Sequence, residues 1–132
     1  MHIHFATLAA IAAGGAVGAS FRYLLGIAMT HWFGSGFPWG TFTTNILGAL
    51  LMGSFIALML RFEVRDPAVQ AFLTTGLLGG FTTFSTFSLE MVLLFERNQH
   101  LLAAVYAVSS VILCVGGVFL MMWLLRPALQ GF

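Results

Sequence analysis

The chain has 132 residues, 60% of them hydrophobic and 7% charged, against about 45–50% apolar and about 25% charged in a typical soluble domain, which excludes an ordinary soluble domain. Its nine charged residues are Arg22, Arg61, Glu63, Arg65, Asp66, Glu90, Glu96, Arg97 and Arg126, with no lysine among them. No basic stripe exists to neutralise phosphates, so a nucleic-acid partner is excluded as well.

Residues 1–21, 23–60, 67–89 and 98–125 carry no charge. A hydrocarbon core about 30 Å thick needs about 20 apolar residues at 1.5 Å each, so every run is long enough to span a membrane. The pattern predicts four transmembrane helices near 5–29, 40–60, 68–95 and 101–125. They form an all-α bundle, one domain over residues 1–132 with no soluble appendage.

The first helix follows Met1-His2-Ile3-His4. It lacks the basic start of a signal peptide and exceeds the usual apolar length, so it is expected to stay in the mature protein. Arg22 lies about two turns inside its end and must snorkel, pair or face a wet vestibule. The stretch His31 to Gly40 combines Gly and Pro turn signals with Trp32 and Trp39 and reads as an interfacial loop.

Within the second helix, Asn45 lies one turn from Thr41 and offers two amide donors at membrane depth. The connection Arg61 to Pro67 packs four charges together and ends in a proline suited to a first helical turn.

The third helix changes character. Gly79-Gly80 followed by Thr82-Thr83 marks a point of helix interruption, and Thr82, Thr83, Ser85, Thr86 and Ser88 crowd the next turns with hydroxyls. Irregular backbone at membrane depth is tolerated only when buried in protein or lining a polar cavity. Freed carbonyls there suit a cation, and freed N–H groups an anion. Phe81, Phe84 and Phe87 recur every three residues beside these hydroxyls, and the positive edge of an aromatic ring can face an anion without any cationic side chain. A kinked packing helix is the plainer alternative. Glu90 is the one acid at or near membrane depth, with Arg22 or interfacial water as its structural partner.

Glu96 to His100 forms a short polar turn. In the fourth helix Tyr106, Ser110 and Cys114 recur at i, i+4 and i+8 on one face, and Arg126-Pro127 closes it. The lone Cys114 permits no disulfide or cysteine metal site within one chain. His2, His4, His31 and His100 show no metal-ligand spacing and read as interfacial polar residues, so an enzyme is not expected.

With four spans, Arg61, Arg65 and Arg126 fall on one side of the bilayer and Arg22 and Arg97 on the other. This near-tie gives the positive-inside rule almost no purchase, and insertion in both orientations with antiparallel homodimerisation is the expected product. The pairs Gly14/Gly18, Gly76/Gly80 and Ala49/Gly53 permit close helix contact, within or between subunits. A lane of neutral donors without a deep cationic cluster suits a small, strongly hydrated anion that must be released again.

Gly14 to Tyr23, Gly40 to Gly48 and Thr75 to Glu90, the last containing Gly79-Gly80-Phe81-Thr82-Thr83-Phe84-Ser85-Thr86-Phe87-Ser88, resemble the CrcB/Fluc fluoride channel family over nearly the whole chain. The resemblance implies a bacterial inner-membrane channel, an antiparallel dual-topology homodimer with two fluoride pores and a structural sodium ion at its centre. It implies sodium ligation by the backbone carbonyls of Gly79 and Thr82, with Phe84 and Phe87 lining the pores beside Ser85 and Thr86. Asn45 would be the pore asparagine, Tyr106 and Ser110 the polar lane, Arg22 a vestibule residue and Glu90 a residue near the end of the track. Cys114 departs from the hydroxyl residue expected at its position. Neutral hydrogen fluoride crosses bilayers and dissociates inside, so a passive pore suffices: an inside-negative potential drives the anion out with about 2.3 kcal/mol per charge per 100 mV. The rival reading is a proton-coupled small multidrug exporter, which would want a carboxylate early in the chain; the first helix has none.

Overall fold

The computed structural model describes residues 4–125; the expectations placed on Met1, His2, Ile3, Arg126 and Pro127 lie outside them. Among these residues the protein is all helical, and four segments are long and apolar enough to cross a membrane: Phe5–Phe33, Trp39–Arg61, Pro67–Glu96 and His100–Leu125. The helices α1 (Phe5–Phe33) and α2 (Trp39–Arg61) outrun their sequence-based bounds because nothing between Met29 and Phe33 breaks a helix. Gly34 ends α1: it takes φ 76, accessible to glycine without a Cβ penalty, and donates its N–H to Thr30 O at 2.9 Å. Trp39, expected in the loop, opens α2 instead.

The third span starts at α3 (Pro67–Ala71), where Asp66 caps the N-terminus by accepting from the N–H groups of Ala68 and Val69 at 2.8 and 3.3 Å. A π-helical segment, Phe72–Leu78, follows, then the single turn α4 (Gly79–Phe81). Thr82 (φ −83, ψ 162) and Thr83 (φ −155, ψ 122) are extended, and α5 runs from Phe84 to Glu96. Gly79 and Gly80 are therefore themselves helical; the irregular residues are the two threonines after them. Asn98 (φ 58) turns the chain into α6 (His100–Leu125).

The small-residue pairs seat helices of this chain against one another. A Cβ on Gly14 would come within 2.6 Å of Phe72 O, and one on Gly80 within 2.6 Å of Gly15 O. Gly18 abuts Leu77 O and Phe81 N, so α1 runs backbone to backbone along the π segment and α4. On the other side, a Cβ on Gly53 would stand 2.7 Å from Val118 O, which brings α2 equally close to α6. One end of the bundle is closed by aromatics. Phe37 of the first connection meets the rings of Phe42 and Tyr106 edge-on at 5.2 and 5.3 Å, above a buried cluster of Leu94, Ala103 and Tyr106. The outer face of α6 leaves Val108, Ile112, Val115, Phe119 and Trp123 exposed, as a lipid or protein neighbour requires.

Candidate functional site

The site grows from Thr82 and Thr83. Two extended residues inside a helical span withdraw backbone groups from the i to i+4 ladder, and each needs a new partner. Asn45 on α2 supplies two: its Oδ1 accepts from Thr83 N–H at 2.8 Å and its Nδ2 donates to Thr83 O at 3.0 Å. Thr83 Oγ1 is the N-cap of α5, accepting from Thr86 N–H at 3.2 Å, with Thr86 Oγ1 and Ser85 Oγ at 3.1 and 3.2 Å. Arg22 reaches across from α1, and its Nη1 donates to Thr82 O at 3.3 Å.

These substitutions free two carbonyls. In a continuous helix Gly79 O would receive the Thr83 N–H and Thr82 O the Thr86 N–H; the first now goes to Asn45 and the second to Thr83 Oγ1. Carbonyl oxygens outside a ladder are hard donors of the kind that hold sodium or calcium. Among the described residues no cluster of three or more His, Cys, Asp or Glu side chains is placed to bind a metal, so these carbonyls are the chain's cation-binding feature.

A second polar knot lies one turn further along α5. Both oxygens of Glu90 are engaged: Thr41 Oγ1 donates to Oε1 at 2.8 Å and Tyr106 OH to Oε2 at 2.7 Å. Tyr106 is fully buried, its ring 4.9 Å from that of Phe87, which in turn lies 5.6 Å from that of Phe84. The partner foreseen for Glu90 as one alternative, Arg22, does not pair with it. Among the described residues the only salt bridge is the exposed Arg65–Glu63 contact at 2.9 Å.

Two clefts flank this framework. The wider, about 940 Å³, is lined by Arg22, Thr41, Thr86, Glu90 and Arg97 and reaches the first connection at Ser35 and Phe37. The narrower, about 390 Å³, is lined by Asn45, Phe84, Phe87, Ser110 and Cys114. Thr83 lines both. Ser110 is 7% exposed and, among the described residues, its hydroxyl is the one buried side-chain polar atom without a hydrogen-bond partner, a state that native proteins rarely leave uncompensated.

A family model described as CrcB-like protein, Camphor Resistance (CrcB), matches residues 9–122. The chain belongs to the CrcB family. It is similar to the protein named Fluoride-specific ion channel FluC from Rhodospirillum centenum, 46% identical over 119 residues that cover 90% of this chain and 94% of that one. The proteins of the same name from Sphingopyxis alaskensis and Nitrobacter winogradskyi are 52% and 49% identical, covering 75% and 81% of this chain and 79% and 85% of their own lengths.

Within this CrcB-family chain, the residues singled out from the sequence separate into three groups. Asn45, Phe84, Phe87 and Ser110 share the narrow cleft with Cys114; Arg22, Thr41, Thr86 and Glu90 share the wide one; Tyr106 lies beneath, tying Glu90 to α6. Ser85 is exposed at the start of α5, and Gly79 and Thr82 stand at the end of α4. Thr83 is the residue that sequence reasoning underweights. A threonine three residues ahead of Thr86, at the head of a hydroxyl-rich helix, is the N-cap signal that points to it.

Proposed function

We propose that this chain is a fluoride-selective passive channel. The observation that carries the reading is the partnerless, buried Ser110 hydroxyl in one cleft with the Asn45 amide and the Phe84 and Phe87 rings. A donor left unpaired in an enclosed, mostly apolar lane suits a small anion that exchanges part of its water shell for hydrogen bonds and ring edges. Membership of a family whose relatives are named fluoride-specific ion channels supports the same conclusion. Glu90, held at both oxygens by hydroxyl donors, is used as a fixed structural acceptor, which counts against the proton-coupled exporter.

In this reading the extended Thr82–Thr83 pair is the functional break of the third span, and the working unit is an antiparallel, dual-topology homodimer with two pores. A sodium ion at the dimer centre is held by Gly79 and Thr82 carbonyls. The residues fit such an ion, because both oxygens have lost their helical donors. The ion would supply fixed positive charge and cross-link the subunits. The protein sits in the bacterial inner membrane, where the inside-negative potential expels fluoride. The test is efflux from liposomes loaded with fluoride or chloride and made electrically permissive with a potassium ionophore. Rapid fluoride release with chloride retained is expected, and folded protein that releases no fluoride would overturn the reading.

A further inference from the structure

Arg22 stands at a junction that neither cleft explains by itself. Gly18, four residues earlier on the same face of α1, lies against Leu77 O and Phe81 N. That contact brings the next turn of α1 over the end of α4. From there the half-buried Arg22 guanidinium donates to Thr82 O at 3.3 Å while also lining the wide cleft. Thr82 O is also one of the two oxygens that hold sodium in the channel reading.

A carbonyl has two lone pairs, so one oxygen can geometrically serve two partners. Two cations on one oxygen nevertheless repel, and the repulsion is strong where water is scarce. Resting on that sodium assignment, we infer that Arg22 and sodium compete for the Thr82 carbonyl, so that Arg22 sets the sodium concentration at which the site fills. Filling the site releases the guanidinium to the wide cleft, whose one acid, Glu90, already has both oxygens engaged. The released charge attracts an anion there, and linkage requires that anion to strengthen sodium binding in return. Arg22 is thus a positioning residue that couples the cation to the anion pathway.

The experiment is thermal unfolding of the purified full chain at constant ionic strength, with sodium titrated against N-methylglucamine, for wild type, Arg22→Gln and Arg22→Lys. Arg22→Gln is expected to be less stable without sodium yet to reach half-maximal stabilisation at a sodium concentration at least about 5-fold lower, the low end of usual coupling. Arg22→Lys, which keeps the charge, stays near the wild-type midpoint. Adding fluoride lowers the midpoint of wild type and leaves that of Arg22→Gln unchanged. An unchanged or raised midpoint in Arg22→Gln overturns the competition; a merely structural arginine would not improve sodium affinity when removed. Should Arg22→Gln fail to fold, a wild-type midpoint indifferent to fluoride overturns the inference. If neither protein responds to sodium at any concentration, the sodium assignment itself has failed.

Discussion

Asn45 spends its amide on backbone. Both of its contacts go to Thr83, so its first effect is to hold the extended residue in place, and any contact with an anion would use the remaining N–H. Asn45→Ala strands a backbone donor and acceptor, each costing on the order of 1–3 kcal/mol when buried. The expected outcome is a thermal unfolding midpoint lowered by several degrees and fluoride efflux reduced at least tenfold. Asn45→Asp keeps the acceptor for Thr83 N–H and should retain more stability than alanine in the same melt. Glu90→Gln replaces one acceptor oxygen by a donor facing Thr41 or Tyr106, an expected loss of about 1–3 kcal/mol. Combining it with Tyr106→Phe removes a stranded hydroxyl, so the double variant is expected to be more stable than the sum of the single losses, and unfolding of all four proteins measures the coupling.

At the scale of elements, uncharged runs were enough to reveal the four helices, because a charge within a lipid-facing span is costly wherever it falls. Their ends were less legible: His31 and Trp32 carry polar or interfacial character but no backbone reason to stop a helix, and the stop waits for Gly34. The double glycine misled in a useful way. Gly80 is glycine because Gly15 O lies against it, a packing demand from another helix that local sequence does not announce. The polar residues of the site were visible as types, whereas the Asn45–Thr83 and Glu90–Tyr106 pairings depend on contacts across 38 and 16 residues. Gly18→Ala should test the packing: its methyl would strike the backbone at Leu77 and Phe81, which has no rotamer to yield. A loss of about 1–3 kcal/mol is expected. Gly26→Ala, with nothing within 4 Å of the added methyl, should match or exceed wild type in the same denaturation experiment.

For the whole molecule, the weak charge bias makes orientation adjustable. Two lysines placed in the connection between α2 and α3 should commit every copy to one orientation, as reporter fusions at the chain ends would show. If the dimer is antiparallel, this variant alone is expected to lose fluoride resistance in cells and to regain it when expressed beside a variant with lysines between α5 and α6. Full resistance from the first variant alone would rule the antiparallel assembly out. The π-helical segment bears on the molecule in another way. Its bonds reach one residue further than those of an α-helix, so excising a single residue between Phe72 and Leu78 would let the ordinary ladder close. That repair would turn the chain beyond it by about 100°, carrying the Gly79 and Thr82 carbonyls away from their present neighbours. Substitutions can accumulate along this stretch, but its length is a calibrated spacer that fixes the phase between the two halves of the span, and evolution can revise its letters more freely than their number.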